Sequence, residues 1–445
     1  MKSTRLVAIL MLVAVCAMGW MLFLGGITSA GAKLDEKVAE ADAHRAAGRY
    51  QLAVNAYQEL LGEEDRDIYD AYVKTCEEFY ADDNSSDVLD QLLSAYDSFV
   101  RKYPKEIGCW EKYVQLYLDD QDFKGAVRVL NRAELAKARS EKLTQQWNIA
   151  YYAYKKMHQN YEQISCAASF ETYVVKNDTG WGTIDTSGKD VLNTVYQYMG
   201  PVGADGYVLA VTSEGEVRIL DEDNVVYGRF FADVTEARGF SEGYIAVKLS
   251  GREDWCFLNR DGQEVLSGYR NAGMFQDGQA AVQQADGQWC LIDTQGQQVS
   301  EGTFEDVLLL ENGAYVHEDD LSMFKISGKW HLYSDGGEDD EDFLCDGFDG
   351  CYGGNVAYCA DGKWGFVDDD GDVVIEPVYD DARSFSGGVA AVCSNGKWGF
   401  IDENGTLIID YIFTDVGYFD AESGTCPVVF PDEIGHQLIC WVVSR

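Results

Sequence analysis

One short unit recurs along the second half of the chain. Its centre is a tryptophan slot filled by Trp181, Val217, Trp255, Trp289, Trp330, Trp364 and Trp398, at spacings of 36, 38, 34, 41, 34 and 34 residues. A piece this short cannot bury its own apolar face, so successive copies must pack on one another as a stack or a ring. The best pair, Gly362 to Asp368 and Gly396 to Asp402, differs only by Val367 against Ile401. Seven copies are clear, and a faint eighth lies between Gly435 and Cys440.

Each unit has the same internal order. A glycine about ten residues before the slot opens an apolar stretch, as at Gly388 to Val392, Gly278 to Val282 and Gly243 to Val247. A short Asn-Gly or Asp-Gly turn leads into the Trp strand, where Trp364 and Phe366 share one face and Gly365 and Val367 the other. A second turn, such as Asp368 to Gly371, feeds a third strand. On these residues the array resembles the WG-repeat (KWG) family of bacterial proteins over about 275 of the 445 residues, with Trp364-Gly365 and Trp398-Gly399 as the best matches. Only Trp181, Trp364 and Trp398 are followed by glycine; Cys256, Cys290 and His331 replace it elsewhere. Residues 166–445 are therefore expected to form an all-β repeat domain. A propeller-like ring is favoured, because seven to eight units can close and hide their edges; an open superhelical β array is the alternative. The tryptophans are expected to wedge between units.

Residues 33–165 have a different period. Tyr50, Ala53, Tyr57, Leu60 and Leu61 fall on one face of a helix. The run from Gly48 to Leu61 resembles the second helix of a tetratricopeptide repeat, with another copy from Trp110 to Ala133 and a degenerate one between them, around Leu89 to Pro104. Three TPR-like copies and a capping helix over 140–158 suffice for a continuous core. The resemblance implies a concave face on which tyrosines hold a partner peptide.

Residues 1–32 form an anchor or signal segment. Leu6 to Ile27 is uncharged and 22 residues long, enough as a helix to span about 30 Å of hydrocarbon. This predicts a single-pass protein of the cell membrane, held through residues 6–27, with the bulk of the chain extracytoplasmic. The alternative is secretion after cleavage near Ala32, since Ala30-Gly31-Ala32 is an acceptable site.

Charge separates the halves. Residues 166–445 carry 15 Lys and Arg against 51 Asp and Glu, while residues 1–165 carry 20 against 25. Such a surface repels phosphate backbones, which disfavours nucleic acid as a partner. Gly239 to Gly243 matches the Gly-x-Ser-x-Gly of a nucleophile elbow at Ser241, but equivalent turns in other copies make Ser241 a turn residue. Asp368 to Asp372 resembles a calcium loop yet places Tyr379 where the twelfth-position Glu belongs. The acidic insertion Ser334 to Asp342 offers at most unspecific cation binding. The five histidines show no zinc-protease spacing, and no pairing of Cys345, Cys351 and Cys359 follows from sequence. No catalytic, cofactor-binding or metal residue is assigned, and no cofactor is expected. The sequence reads as a membrane-anchored interaction scaffold without catalytic activity, binding a protein or peptide; the alternatives are a cell-wall or glycan-binding module and, less favoured, a hydrolase carried on the β array.

Overall fold

The computed structural model describes residues 32–443 apart from 64, 318–319 and 335–337. The expected membrane segment, residues 6–27, lies outside the described residues. Among those described, no helix is long and apolar enough to cross a membrane. The chain divides into two compact units between Tyr151 and Tyr152.

The first unit contains, among the described residues, seven α-helices in sequential antiparallel contact: α1 (32–46), α2 (Tyr50–Leu60), α3 (Arg66–Asp82), α4 (Ser86–Lys102), α5 (Ile107–Asp119), α6 (Phe123–Leu135) and α7 (Glu141–Tyr151). The start of α6 is capped: the Asp122 carboxylate accepts the Gly125 amide at 2.9 Å. A Cβ at Gly125 would lie 2.4 Å from the Tyr117 ring of α5, so that glycine is what lets the two helices close. The apolar stripes merge into one core containing Tyr57, Tyr96, Phe99, Trp110 and Tyr113. The Tyr57 hydroxyl donates to Asp42 at 2.6 Å, so this residue serves packing and a part-buried polar contact.

The helix expected over 140–158 ends at Tyr151, and Tyr154–Tyr161 is a β-strand of the second unit. It pairs antiparallel with His436–Trp441, with Tyr154 opposite Trp441 and Tyr161 opposite His436. Long-range pairing overrides the local helical pattern here, and the compact units accordingly divide before Tyr152, not at Cys166.

The second unit is an eight-bladed β-propeller. Blade 7 shows the plan: a short inner strand Asp381–Ala382, then Val389–Ser394, Lys397–Asp402 and the outer Leu407–Phe413, all antiparallel. Val389 to Val392 are buried on both faces because a blade stands on either side. Numbered in chain order, blade 1 spans 163–196 and blade 4 has three strands. Blade 8 combines Asp415–Val416, Thr425–Val429 and His436–Trp441 with Tyr154–Tyr161 from the start of the unit. The ring is thus closed by its two ends, which sets aside the open superhelical array.

Eight separate apolar clusters fill the eight junctions between neighbouring blades. The tryptophan slots lie in them, as expected for wedges. Trp398 packs with Phe413, Val428 and Trp441 between blades 7 and 8, Trp255 between 3 and 4, and Trp289 between 4 and 5. Trp364, Trp181 and Trp330 are half-buried at the margins of theirs. Where glycine follows the tryptophan, the next strand comes in close: a Cβ at Gly365 would sit 2.4 Å from the Ile375 carbonyl, and the ladder shifts register there.

Candidate functional site at the axis of the ring

Each inner strand ends in a loop at the axis, and adjacent loops are tied by backbone hydrogen bonds. The Tyr418 amide donates to the Cys166 carbonyl at 2.8 Å from blade 8 to blade 1, and Met274 to Gly313 at 2.8 Å from blade 4 to blade 5. The approach is close enough to demand glycine: a Cβ at Gly417 would lie 2.1 Å from the Cys166 carbonyl oxygen.

Blade 5 departs from its neighbours. The 41-residue spacing from Trp289 to Trp330 places its extra residues between Asp306–Val307 and Ser322–Ile326. That loop folds as a turn, with the Gly313 amide on the Leu310 carbonyl at 2.9 Å and the Leu310 amide on Ala314 at 2.8 Å. The turn reaches across the axis. The Gly239 amide of blade 3 donates to the Asn312 carbonyl at 2.7 Å. Glu311 Oε2 accepts the Cys166 amide at 3.0 Å and its thiol at 3.1 Å. Blades 1 and 5 stand opposite in a ring of eight, so the blade 5 turn, through this carboxylate, joins two opposite blades.

Beside the bridge is a cavity of about 150 Å³, walled by Val174, Pro201, Val202, Leu310 and Tyr352, with Glu311 exposed at its edge. A second hollow of about 390 Å³ shares Glu311 and is lined also by Trp181, Tyr198 and His436. Behind the first cavity the Tyr352 ring lies 3.9 Å from the Tyr418 ring. The Tyr418 hydroxyl donates to Asp349 Oδ2 at 2.6 Å, and the Ser384 amide donates to the same oxygen at 2.8 Å. Arg383 sits over the Tyr418 ring and 3.5 Å from Asp415.

Burial is the first influence on Asp349, Tyr352, Tyr418 and Cys166 in this cluster. Burial raises the Asp349 carboxyl above its usual range despite the Tyr418 and Ser384 hydrogen bonds. Burial likewise lifts the Tyr352 and Tyr418 phenols. The Cys166 thiol is pushed well up by burial and then by Glu311, so it stays a thiol and is a poor nucleophile. The Tyr418 and Ser384 hydrogen bonds hold the Asp349 carboxyl in place.

Ser241 is buried in a two-residue turn, its amide on the Tyr244 carbonyl at 3.0 Å and the Tyr244 amide returning at 2.9 Å. Glu242 and Gly243 take φ of 53° and 86°, the signature of a type I′ hairpin turn. The Asp368 carboxylate accepts the Asp372 amide at 2.8 Å, and Asp402 does the same for Thr406, also at 2.8 Å. Residues 335–337 of the acidic insertion lie outside the described residues. Among the described residues no cluster of His, Cys, Asp and Glu is arranged to hold a metal ion, and no disulfide is seen among the cysteines there. Sequence reasoning did not single out Glu311, Asp349, Tyr352 or Tyr418. The one available signal was the long spacing in blade 5.

Residues 364–398 and 398–429 match the WG containing repeat family, so the chain carries WG repeats between its sixth and eighth blades. No curated protein sequence matches it. Among solved structures it is similar to BamB from Moraxella catarrhalis at 14% identity and TM-score 0.44, covering 66% of this chain and 98% of that one. It is also similar to Kluyveromyces lactis Hsv2 at 12% identity and TM-score 0.34, covering 53% and 89%. The β-propeller domain of Myceliophteria thermophila Cps50 (Swd1) matches at 10% identity and TM-score 0.32, covering 65% and 98%.

Proposed function

We propose that this chain is a non-catalytic interaction scaffold whose propeller binds a protein partner through its axial face. The observation that carries this reading is the blade 5 turn. It spans the axis and presents one carboxylate beside a small walled cavity, while backbone hydrogen bonds tie the axial loops to one another. A recognition site needs such a fixed frame. The strongly acidic repeat half favours a basic partner surface. The helical unit, with its TPR-like spacing, is proposed as a second peptide-binding surface. The glycan reading required aromatic rings presented together on the surface. The slot tryptophans lie in the junctions between blades instead.

Membrane placement through residues 6–27, with the rest of the chain extracytoplasmic, is part of the proposal. The test is affinity capture with the full-length chain in detergent from the envelope fraction of its own cells. A stoichiometric protein partner, released by raising salt, is the expected result. Retention of envelope glycan without protein would overturn it, and recovery of the native chain only in culture medium, beginning near Lys33, would replace the anchor by a cleaved signal.

A further inference from the structure

We propose that the axial cavity is a socket for the ammonium end of a lysine side chain presented by a partner protein, an inference that rests on the interaction reading above. The carboxylate at its edge is half used. Glu311 Oε2 takes both hydrogen bonds from Cys166, and among the described residues Oε1 has no hydrogen-bond partner. The side chain is exposed to the cavity and not folded against a cation of its own. Among the described residues of the cluster behind it the one cationic side chain, Arg383, is engaged elsewhere, 3.5 Å from Asp415 and over the Tyr418 ring.

The walls fit an alkyl stem. Val174, Pro201, Val202 and Leu310 supply apolar surface along which methylene groups bury while the charged end reaches a polar partner. Tyr352, whose ring packs at 3.9 Å against that of Tyr418, adds an aromatic wall, and aromatic rings attract cations. A cavity of about 150 Å³ is the size at which an engineered apolar cavity takes benzene, about six heavy atoms. A four-carbon ammonium chain has about five by the same measure, and a planar guanidinium on its propyl stem overfills it. An anion would meet Glu311 and a neutral sugar would leave the carboxylate without a counter-charge, so the ligand chemistry is a primary ammonium. That chemistry could come from a free amine or from a protein. The acidic repeat half, 15 cationic against 51 anionic residues, favours the lysine of a basic protein surface.

The experiment is calorimetric titration of the full-length chain in detergent with n-butylammonium chloride, with 1-butanol as the uncharged match, and with a blocked tripeptide carrying one central lysine. Butylammonium and the peptide should bind, 1-butanol should bind at least tenfold more weakly, and Glu311→Gln should weaken both cations at least tenfold. Ala168 also lines the cavity, so Ala168→Leu, which takes up its space and leaves Glu311 unchanged, should also abolish binding, and it keeps the test open if Glu311→Gln fails to fold. Equal binding of 1-butanol, or cation binding unchanged in both variants, overturns the socket. Binding of butylammonium with exclusion of the peptide overturns the protein source in favour of a free amine. Adding butylammonium to the captured complex separates this inference from the one beneath it. Release of the partner supports the socket; a partner retained through saturating butylammonium overturns the socket and leaves the scaffold reading standing.

Discussion

The two units bury their apolar residues in opposite ways. The helical unit has one continuous core running through its helices, from Ala41 to Ala150. The propeller has eight small ones, each shared by two neighbouring blades and none by three. In a single core every large side chain supports the whole body. In a ring, each junction is local, and the whole depends on the one junction that joins the ends.

The largest expected effect tests that dependence. A chain beginning at Tyr152 should give a folded propeller, whereas one beginning at Cys166 lacks Tyr154–Tyr161 and leaves His436–Trp441 as an open edge. We expect the shorter piece to lose its cooperative melting transition and to aggregate, measured by calorimetry and light scattering. Equal melting of the two pieces would show that the ring does not depend on its closing strand.

Next come single large side chains. Trp398→Ala should cost about 3–5 kcal/mol and raise hydrogen exchange in blades 7 and 8 before the other blades. Trp364→Ala, from a half-buried site, should cost less. Phe99→Ala, of similar size in the helical unit, should instead lower protection across all its helices. Uniform loss of protection around the propeller in Trp398→Ala would collapse the contrast.

Acid should distinguish the units by a smaller amount. His317 is buried in blade 5, with Nδ1 accepting the Cys351 amide at 2.9 Å, and burial pushes its pKa down to about 4. Its folded pKa lies below the unfolded value near 6.5, so its contribution is complete above pH 6.5 and is lost as pH falls toward 4. At 1.36 kcal/mol per unit, the loss approaches about 3 kcal/mol. Urea unfolding of the propeller from pH 7 to 4 should show this slope, and His317→Gln should flatten it. The smallest effect is expected from the repeated exposed pair Lys363–Asp380, at 2.7 Å. Lys363→Met should leave the melting temperature of the propeller within error.

Much of the propeller was legible because its information is local. The Trp slot, the turn glycines and the Asp turns repeat within about 36 residues and build the same blade wherever they occur. The closing strand was not legible. Tyr154 to Tyr161 carries two lysines and no copy of the repeat, and Trp147, Ala150, Tyr151 and Tyr154 continue a helical spacing into it. Its strand character comes from a partner edge far along the chain. The axial site was hidden for a related reason. The 41-residue spacing showed an insertion in blade 5, but only ring closure brings Glu311 opposite Cys166, 145 residues away.

The closing strand also sets a schedule for biosynthesis. Tyr161 leaves the ribosome ahead of its partner His436 by the whole of the repeat array. At about 5–20 residues per second, the wait is roughly a quarter of a minute to a minute. Throughout it, blade 1 lacks the neighbour that covers Tyr173, Val175 and Ile184, residues that end up wholly enclosed against Tyr161 and Leu438. A nascent chain of this design therefore exposes one strand edge and one apolar face until His436–Trp441 emerges, which makes the synthesis of that strand the moment at which it becomes safe from self-association.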